Sequence, residues 1–177
     1  MTLHSIPMRC YLLRHAEAVP HGAPGYPNDA ERPLTEEGHA QARALAQGLK
    51  RMRLPVDAVV ASPYLRATQT AAPVAKAFHL AGAVRTLAAL QPEADPPATA
   101  AALADYARQE HIVLVGHEPH MSTWLSWLVV EAGTLRCVFK KAGVACVEIG
   151  RVPPSKGSGT LRWFMTPKQL MLIGKAT

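Results

Sequence analysis

The sequence predicts a three-layer α/β/α sandwich, in which helices cover both faces of a mainly parallel central sheet. Apolar runs of strand length alternate with segments of helical periodicity along the chain. The chain has 177 residues, of which 49% are apolar, and this is the size and composition of one packed domain, residues 1–177. No segment approaches the roughly 18–20 consecutive apolar residues that a membrane-spanning helix needs. We therefore expect one α/β domain and no membrane partner.

The first strand is predicted at residues 8–13, and a helix follows it after a long loop. Residues 20–27 contain five Gly and Pro residues, which no regular element could span. A helix then begins at Thr35, whose hydroxyl can cap the first turn, and two glutamates follow that suit the positive end of the helix dipole. Apolar residues continue at helical spacing to Leu49, and Pro55 ends the helix.

The second strand is predicted at residues 57–61, where the apolar residues indicate burial. Ser62 is the expected N-cap of the next helix, with Pro63 at the first helical position, where proline is tolerated. This helix should continue to about His79. Polar residues are thus expected where the second strand meets the second helix.

The second half of the chain repeats the alternation of strands and helices. Its predicted elements are a short strand within 84–90, a helix at 98–109, a strand at 111–115, a helix from about His120 to Val130, and strands at 143–149 and 160–165. The last two strands flank a VPPSKGSG turn. No internal repeat and no second domain are indicated.

Charge, cysteine content and the N-terminal segment indicate the class of partner, the state of the thiols and the compartment. The excess of six positive charges is scattered along the chain without a basic patch, which argues against nucleic acid and favours small anionic substrates or acidic proteins. Cys10, Cys137 and Cys146 form no CxxC pair, so we expect reduced, buried, structural thiols. The N-terminal MTLHSIPMRC lacks the pattern of a signal segment, which predicts a cytoplasmic protein.

Three polar clusters follow three of the predicted strands. Arg14 and His15 follow the first strand, residues 62–66 follow the second, and residues 116–117 follow the strand at 111–115. If these strands are parallel neighbours, the clusters converge on the crevice outside the carboxyl ends of the sheet. Two arginines and two histidines there would bind an anion, because the planar fork of arginine matches pairs of phosphate oxygens.

The nucleophile of such a site would be a histidine. The sequence has no P-loop, no GxSxG motif and no cysteine among the arginines. Histidine can itself form a covalent intermediate, and His15 is adjacent to Arg14. Taken singly, Arg14, His15, Arg66 and His117 would each be explained as a strand edge, a solvated helix residue or a turn residue. Together they favour phosphoryl chemistry.

The remaining histidines do not indicate a metal site. His117 and His120 are three residues apart, but Pro119 lies between them and no Cys/His/Asp set has the order of a zinc site. We therefore expect neither a metal ion nor another cofactor.

Four motifs, in this order, resemble the histidine phosphatase superfamily. LLRHAEA resembles its RHG signature, RPLTEEG follows, SPYLRATQT resembles its second arginine motif, and VGHEP resembles its second histidine motif. The resemblance covers nearly the whole chain and is strongest to the SixA-like phosphohistidine phosphatases. It implies a phosphoglycerate mutase-like fold, with His15 as the nucleophile and with Arg14, Arg66 and His117 binding the phosphoryl group and stabilising its charge.

The same resemblance implies a metal-independent phosphatase and suggests a phosphohistidine-bearing protein as its substrate. The chain lacks a counterpart of the mid-chain glutamate that serves other members as proton donor; Glu17, Glu93 and Asp95 are the candidates. A phosphoramidate leaves as a basic nitrogen and needs no well-placed acid. Two alternatives stay open: a phosphatase of small phosphate monoesters, and a phosphoryl-binding module without turnover.

Three further positions carry open expectations. By the resemblance, Arg32 lies near the pocket, whereas an ion pair with Asp29 or Glu31 would make it a loop anchor. Glu17 either binds in the site or holds an arginine in place. Ala16 stands where a glycine is usual, and its methyl would strain the backbone if the position needs a positive φ.

Overall fold

The computed structural model describes residues 7–175 and contains six strands and five α-helices. The strands are β1 (Met8–Arg14), β2 (Ala58–Ala61), β3 (Arg85–Thr86), β4 (His111–Gly116), β5 (Val144–Ile149) and β6 (Gly159–Met165). The helices are α1 (Glu36–Arg51), α2 (Leu65–Ala77), α3 (Pro96–Ala102), α4 (His120–Val129) and α5 (Pro167–Lys175). The first six residues, on which the prediction about a signal segment partly depended, lie outside the described residues.

The strand order in the sheet is β3-β2-β4-β1-β5-β6. The first four strands of the chain run parallel to one another, β5 runs antiparallel to β1, and β6 runs antiparallel to β5. This confirms the predicted mainly parallel sheet. In the register, Arg14 pairs with Gly116, and Ala61 pairs with Val115. The carboxyl ends of β1, β4 and β2 therefore lie side by side at one edge.

Helices cover both faces of the sheet, so the central strands are apolar on both sides. Leu12 and Leu114 face α3 and α4, where Trp124 is fully buried. Tyr11 and Val113 face the opposite side, which α1, α2 and α5 cover. Continuous apolar runs are typical of parallel strands that are buried on both faces.

The start of α1 is bound to the loop that follows β1. Thr35 caps α1 as predicted, because its Oγ1 accepts a hydrogen bond from Gly38 N at 3.0 Å. Thr35 N donates to Glu17 O at 3.1 Å. A Cβ on Gly38 would lie 1.8 Å from Glu17 O, so only glycine permits this close approach. The residues just after His15 are thereby fixed against α1.

The second helix begins later than predicted, and Ser62 is not its N-cap. Ser62 N donates to Val115 O at 2.8 Å, which extends the β2–β4 pairing by one residue. The chain therefore needs two more residues to turn, and Tyr64 occupies the N-cap position. The consequence for the site is that Arg66 lies in the first turn of α2.

Two other predicted elements differ in their extent, and one helix was not predicted. The strand predicted within 84–90 is only two residues long, and a 3-10 turn at Ala88–Leu90 follows it. The helix predicted at 98–109 begins earlier, at Pro96, and tightens into a 3-10 turn at Leu103–Tyr106, where both end residues are buried. The helix α5 was not predicted. Within residues 7–175, no helix combines the length and apolar character that crossing a membrane requires.

Candidate active site

The six residues predicted for the site lie in one pocket of about 330 Å³ at the carboxyl edge of the sheet. They are Arg14, His15, Glu17, Arg32, Arg66 and His117. β1 and β4 deliver the two histidines from adjacent strands, since His15 N donates to Gly116 O at 2.9 Å. The expected convergence of the three polar clusters is therefore observed.

His15 presents its Nε2 atom to the pocket. Its Nδ1 lies 2.7 Å from Ala16 O, and because a carbonyl oxygen can only accept, Nδ1 carries the proton. Nε2 then keeps its lone pair, and it accepts a hydrogen bond from Arg66 Nε at 3.3 Å. Burial lowers the pKa of His15 to about 3, and the charges of Arg66 and Arg14 act in the same direction while the bond to Ala16 O partly offsets them. His15 is thus neutral at pH 7, with a fixed tautomer and an unprotonated Nε2.

His117 faces His15, with 5.0 Å between the ring centroids. It is buried, and burial together with its neighbour His15 lowers its pKa to about 2. Neither of its ring nitrogens has a hydrogen-bond partner among the described residues. Both are therefore available to a polar group bound in the pocket.

Arg66 is the most constrained cation of the site. Its side chain is 3% exposed, and its guanidinium lies 4.9 Å from the ring centroid of Tyr64. Besides the bond to His15, Nη1 donates to Asp29 O at 2.7 Å and Nη2 to Asp29 Oδ2 at 2.8 Å. Every nitrogen of this guanidinium has a partner within the described residues.

Arg14 is held from the other side of the pocket. Its Nη1 donates to Phe139 O at 2.7 Å, in the segment that leads to β5. Its Nε is buried and has no partner among the described residues. Two arginines from different elements, β1 and α2, therefore line the same pocket as His15.

Ala16 fits its position without backbone strain. It is not among the residues of positive φ in the described part of the chain, so the expected conflict with a methyl group does not arise. Its N–H donates to Thr70 Oγ1 at 3.1 Å, and its side chain is fully buried in a small cluster with Ala18, Leu34 and others. Thr70 Oγ1 in turn donates to Arg66 O at 2.7 Å. The residue after His15 is thus bound to the helix that carries Arg66.

Arg32 and Glu17 line the pocket, but their side chains are engaged by neighbours. Arg32 donates from Nε and Nη2 to Asp29 Oδ1, each at 2.7 Å, and from Nη1 to Val19 O. The ion pair expected as an alternative for Arg32 is therefore formed, with Asp29. Glu17 Oε1 lies 2.6 Å from Lys141 Nζ, so Glu17 holds a lysine where an arginine was expected. Direct substrate binding by Arg32 and Glu17 stays a prediction.

Of the three carboxylates expected as candidate proton donors, only Glu17 is among the residues that line the pocket. Glu93 and Asp95 are not among the residues that line it, whereas Glu118 is. Glu118 accepts hydrogen bonds from Ser122 N at 2.9 Å and Ser122 Oγ at 2.8 Å. Its position beside His117 in VGHEP was the available signal. Asp29 was also missed as a site residue, although its pairing with Arg32 was considered.

The described residues contain no group of three or more His, Cys, Asp or Glu side chains placed to hold a metal ion. His120 is buried, and its Nε2 is 3.1 Å from Thr99 Oγ1, so it joins α4 to α3. The thiols of Cys10 and Cys146 are buried as expected, and burial raises their pKa. Cys137 is only partly buried, so the expectation of burial was wrong for that residue. The surroundings of His120, Cys10 and Cys146 therefore indicate structural roles.

Acidification should destabilise the fold through the two pocket histidines. Between pH 6.5 and about 3 the unfolded chain binds more protons than the folded chain, because His15 and His117 have lowered pKa values only when folded. The free energy of unfolding should therefore fall as the pH decreases, by up to about 1.4 kcal/mol per pH unit for each histidine. Urea unfolding between pH 7 and 5.5 measures this slope. It should be smaller in His117→Gln and unchanged when the exposed His79 is replaced by Asn; equal slopes in all three proteins would contradict the prediction.

Comparisons with known proteins agree with this geometry. The family model described as the histidine phosphatase superfamily (branch 1) matches residues 10–92. Phosphohistidine phosphatase SixA of Escherichia coli is 28% identical over 169 residues, which are 93% of this chain and 98% of that protein. An uncharacterised protein of Picosynechococcus sp. is 31% identical over 145 residues, 81% of this chain and 86% of that one. The structure of the protein histidine phosphatase SixA complexed with tungstate superposes with a TM-score of 0.78 at 27% identity, covering 92% of this chain and 99% of that chain.

Proposed function

Because the chain belongs to the histidine phosphatase superfamily and is a phosphatase, we propose that it hydrolyses phosphohistidine through a covalent intermediate on His15, without a metal ion. The observation that carries the proposal is the state of His15. Its Nδ1 carries the proton, which it donates to Ala16 O, and its unprotonated Nε2 faces the pocket, where it accepts a hydrogen bond from Arg66 Nε. A neutral imidazole in this tautomer is the form that can attack phosphorus.

The proposed reaction has two steps. His15 Nε2 attacks the phosphorus, the bond from phosphorus to the substrate nitrogen breaks, and the leaving imidazole takes up a proton. Water then attacks the phosphorus of the phosphorylated His15, which releases inorganic phosphate and restores the free Nε2. Arg66 and Arg14 would stabilise the negative charge on the phosphoryl oxygens, and His117, with both ring nitrogens unpaired, would bind a third oxygen.

The carboxylates in the pocket, Glu17 and Glu118, and Asp29 beside it support a substrate that needs no strong acid. Glu17 is paired with Lys141, and Glu118 accepts two bonds from Ser122. Burial raises the pKa of Asp29, but hydrogen bonds from Arg32 and Arg66 outweigh this and lower it, so Asp29 is ionised at neutral pH. An alkoxide leaving group would lack a donor here, whereas the nitrogen of phosphohistidine is readily protonated by solvent.

The identity of the relatives supports the same substrate class. The curated relative that matches nearly all of this chain is named a phosphohistidine phosphatase. We infer that the substrate is a phosphohistidine displayed on another protein, in the cytoplasm. The pocket lies at the carboxyl edge of the sheet, and Glu93 and Asp95, which belong to the connection between α2 and β4, are not among the residues that line it.

A panel of three substrates tests this proposal. We expect kcat/KM on a phosphohistidine peptide to exceed that on a sugar phosphate by about 100-fold or more, the contribution of a general acid. p-Nitrophenyl phosphate, whose leaving group needs no acid, should fall between them, and EDTA should leave all rates unchanged. A sugar phosphate hydrolysed as fast as the peptide would favour the small-ester phosphatase. Binding without turnover of any of the three would favour the phosphoryl-binding module.

A further inference from the structure

The carboxylate of Asp29 binds both Arg32 and Arg66. We propose that Asp29 is a positioning residue, which fixes the guanidinium of Arg66 so that its Nε side faces His15. The proposal rests on the proposed function of His15 as the nucleophile. It concerns a residue that touches Arg66 and need not touch the substrate.

Asp29 occupies one end of the Arg66 fork. Its backbone oxygen accepts from Nη1 and its Oδ2 accepts from Nη2, so two acceptors of one residue set the rotation of the guanidinium plane. With that end occupied, the remaining Nε–H points to His15 Nε2 at 3.3 Å. An arginine side chain has several rotatable bonds, and ordering it costs conformational entropy. Because Asp29 already orders the Arg66 side chain in the free protein, this entropy is not lost when the substrate binds.

Asp29 is itself held in place, although it ends an exposed loop. Its Oδ1 accepts two bonds from Arg32, and Arg32 Nη1 donates to Val19 O, which closes the loop between residues 19 and 32. The side chain of Asn28 accepts from Ala30 N and caps the short turn that contains Asp29. Arg32 therefore acts on Arg66 through Asp29.

The same contacts argue against Asp29 as a competitor of the substrate. The phosphorus must lie next to His15 Nε2, on the Nε side of Arg66. Asp29 binds the opposite end, at Nη1 and Nη2. A phosphoryl group can therefore bind Arg66 while Asp29 stays in place. Substitution of Asp29 should slow the chemical step without weakening anion binding, since it also removes one negative charge from the pocket.

The variant that tests this is Asp29→Asn, with Glu31→Gln as its matched control. Glu31 lies in the same turn and is exposed, and its side chain contacts Asn28 and neither arginine. In wild type, turnover of a phosphohistidine peptide tests the proposed function by itself. Asp29→Asn should then lower kcat about tenfold, while KM and the inhibition constant of inorganic phosphate stay equal or decrease. Glu31→Gln should match wild type.

Two further measurements separate positioning from other roles. In an Arg66→Lys background, adding Asp29→Asn should cause no further loss of kcat, because the group it positions is gone. The Arg66 Nε–H resonance in an NMR spectrum, assigned by its disappearance in Arg66→Lys, should be protected from solvent exchange in wild type and in Glu31→Gln but not in Asp29→Asn. This readout does not depend on turnover. An unchanged kcat with tighter phosphate binding would instead make Asp29 a competitor, and a loss that persists without Arg66, or an unchanged resonance, would overturn the proposal.

Discussion

Replacing His15 by alanine should abolish hydrolysis of a phosphoramidate while leaving the fold intact. The change removes Nε2, the unprotonated ring nitrogen that accepts a hydrogen bond from Arg66 in the pocket and that we propose as the nucleophile, so kcat/KM should fall on the order of 10⁴-fold or more. The fold should persist because, within residues 7–175, the side chain forms hydrogen bonds only with its neighbour Ala16 and with Arg66. The strand that precedes it, β1, is held on both sides by β4 and β5.

Steady-state rates on phosphoramidate, together with circular dichroism and thermal unfolding, measure both parts of this prediction. His79→Asn is the matched control, because His79 is an exposed histidine just beyond α2, and asparagine tolerates its φ of 61°. That variant should keep full activity. Wild-type activity in His15→Ala would remove the basis for the covalent mechanism, and loss of both activity and fold would require a milder substitution such as His15→Gln.

The convergence of the site could be predicted because its residues lie at strand ends. An apolar run followed by a polar pair shows where a strand ends, and parallel neighbours bring such ends together. What the sequence did not show is which strands are neighbours. That β4 lies between β1 and β2, with Gly116 beside Arg14, follows from packing over distances of about 100 residues along the chain.

Asp29 escaped prediction as a site residue because its important partner is remote in sequence. Its pairing with Arg32 spans three residues and is visible as a local pattern. Its bonds to Arg66 span 37 residues and exist only because the loop after β1 returns to the first turn of α2. For Ala16 the sequence raised a concern that the structure removes. Glycine is usual at this position, but the φ of Ala16 is not positive, so a methyl group causes no backbone strain.

The predictions of helices were wrong where tertiary contacts outweigh local sequence preference. Ser62 is a good capping residue, yet its N–H is engaged by Val115 in the sheet. The nine residues of α5 are too few to form a stable helix alone, and it is packing against α1 that supports them. That packing is close, since a Cβ on Gly48 would lie 2.5 Å from Leu170 O.

Replacing Arg66 by lysine should slow catalysis nearly as much as removing the side chain, although the positive charge is kept. The three nitrogens of Arg66 contact His15, the backbone oxygen of Asp29 and its carboxylate at once. A lysine ammonium is a point charge on a flexible stem and cannot make these contacts together. We expect kcat on phosphoramidate to fall about 100- to 1,000-fold, the loss typical of removing one preorganised donor to a developing charge.

Steady-state kinetics of Arg66→Lys and Arg66→Ala, compared with Arg43→Lys, decide whether shape or charge matters in this position. Arg43 is exposed on α1, outside the pocket lining, so its substitution should leave kcat unchanged. If the planar fork is what stabilises the phosphoryl oxygens, the lysine and alanine variants should lie within about tenfold of each other. A lysine variant that keeps more than about a tenth of the wild-type kcat would mean that charge alone suffices. Arg66 would then act as a screening cation, and its fixed orientation by Asp29 would have no catalytic consequence.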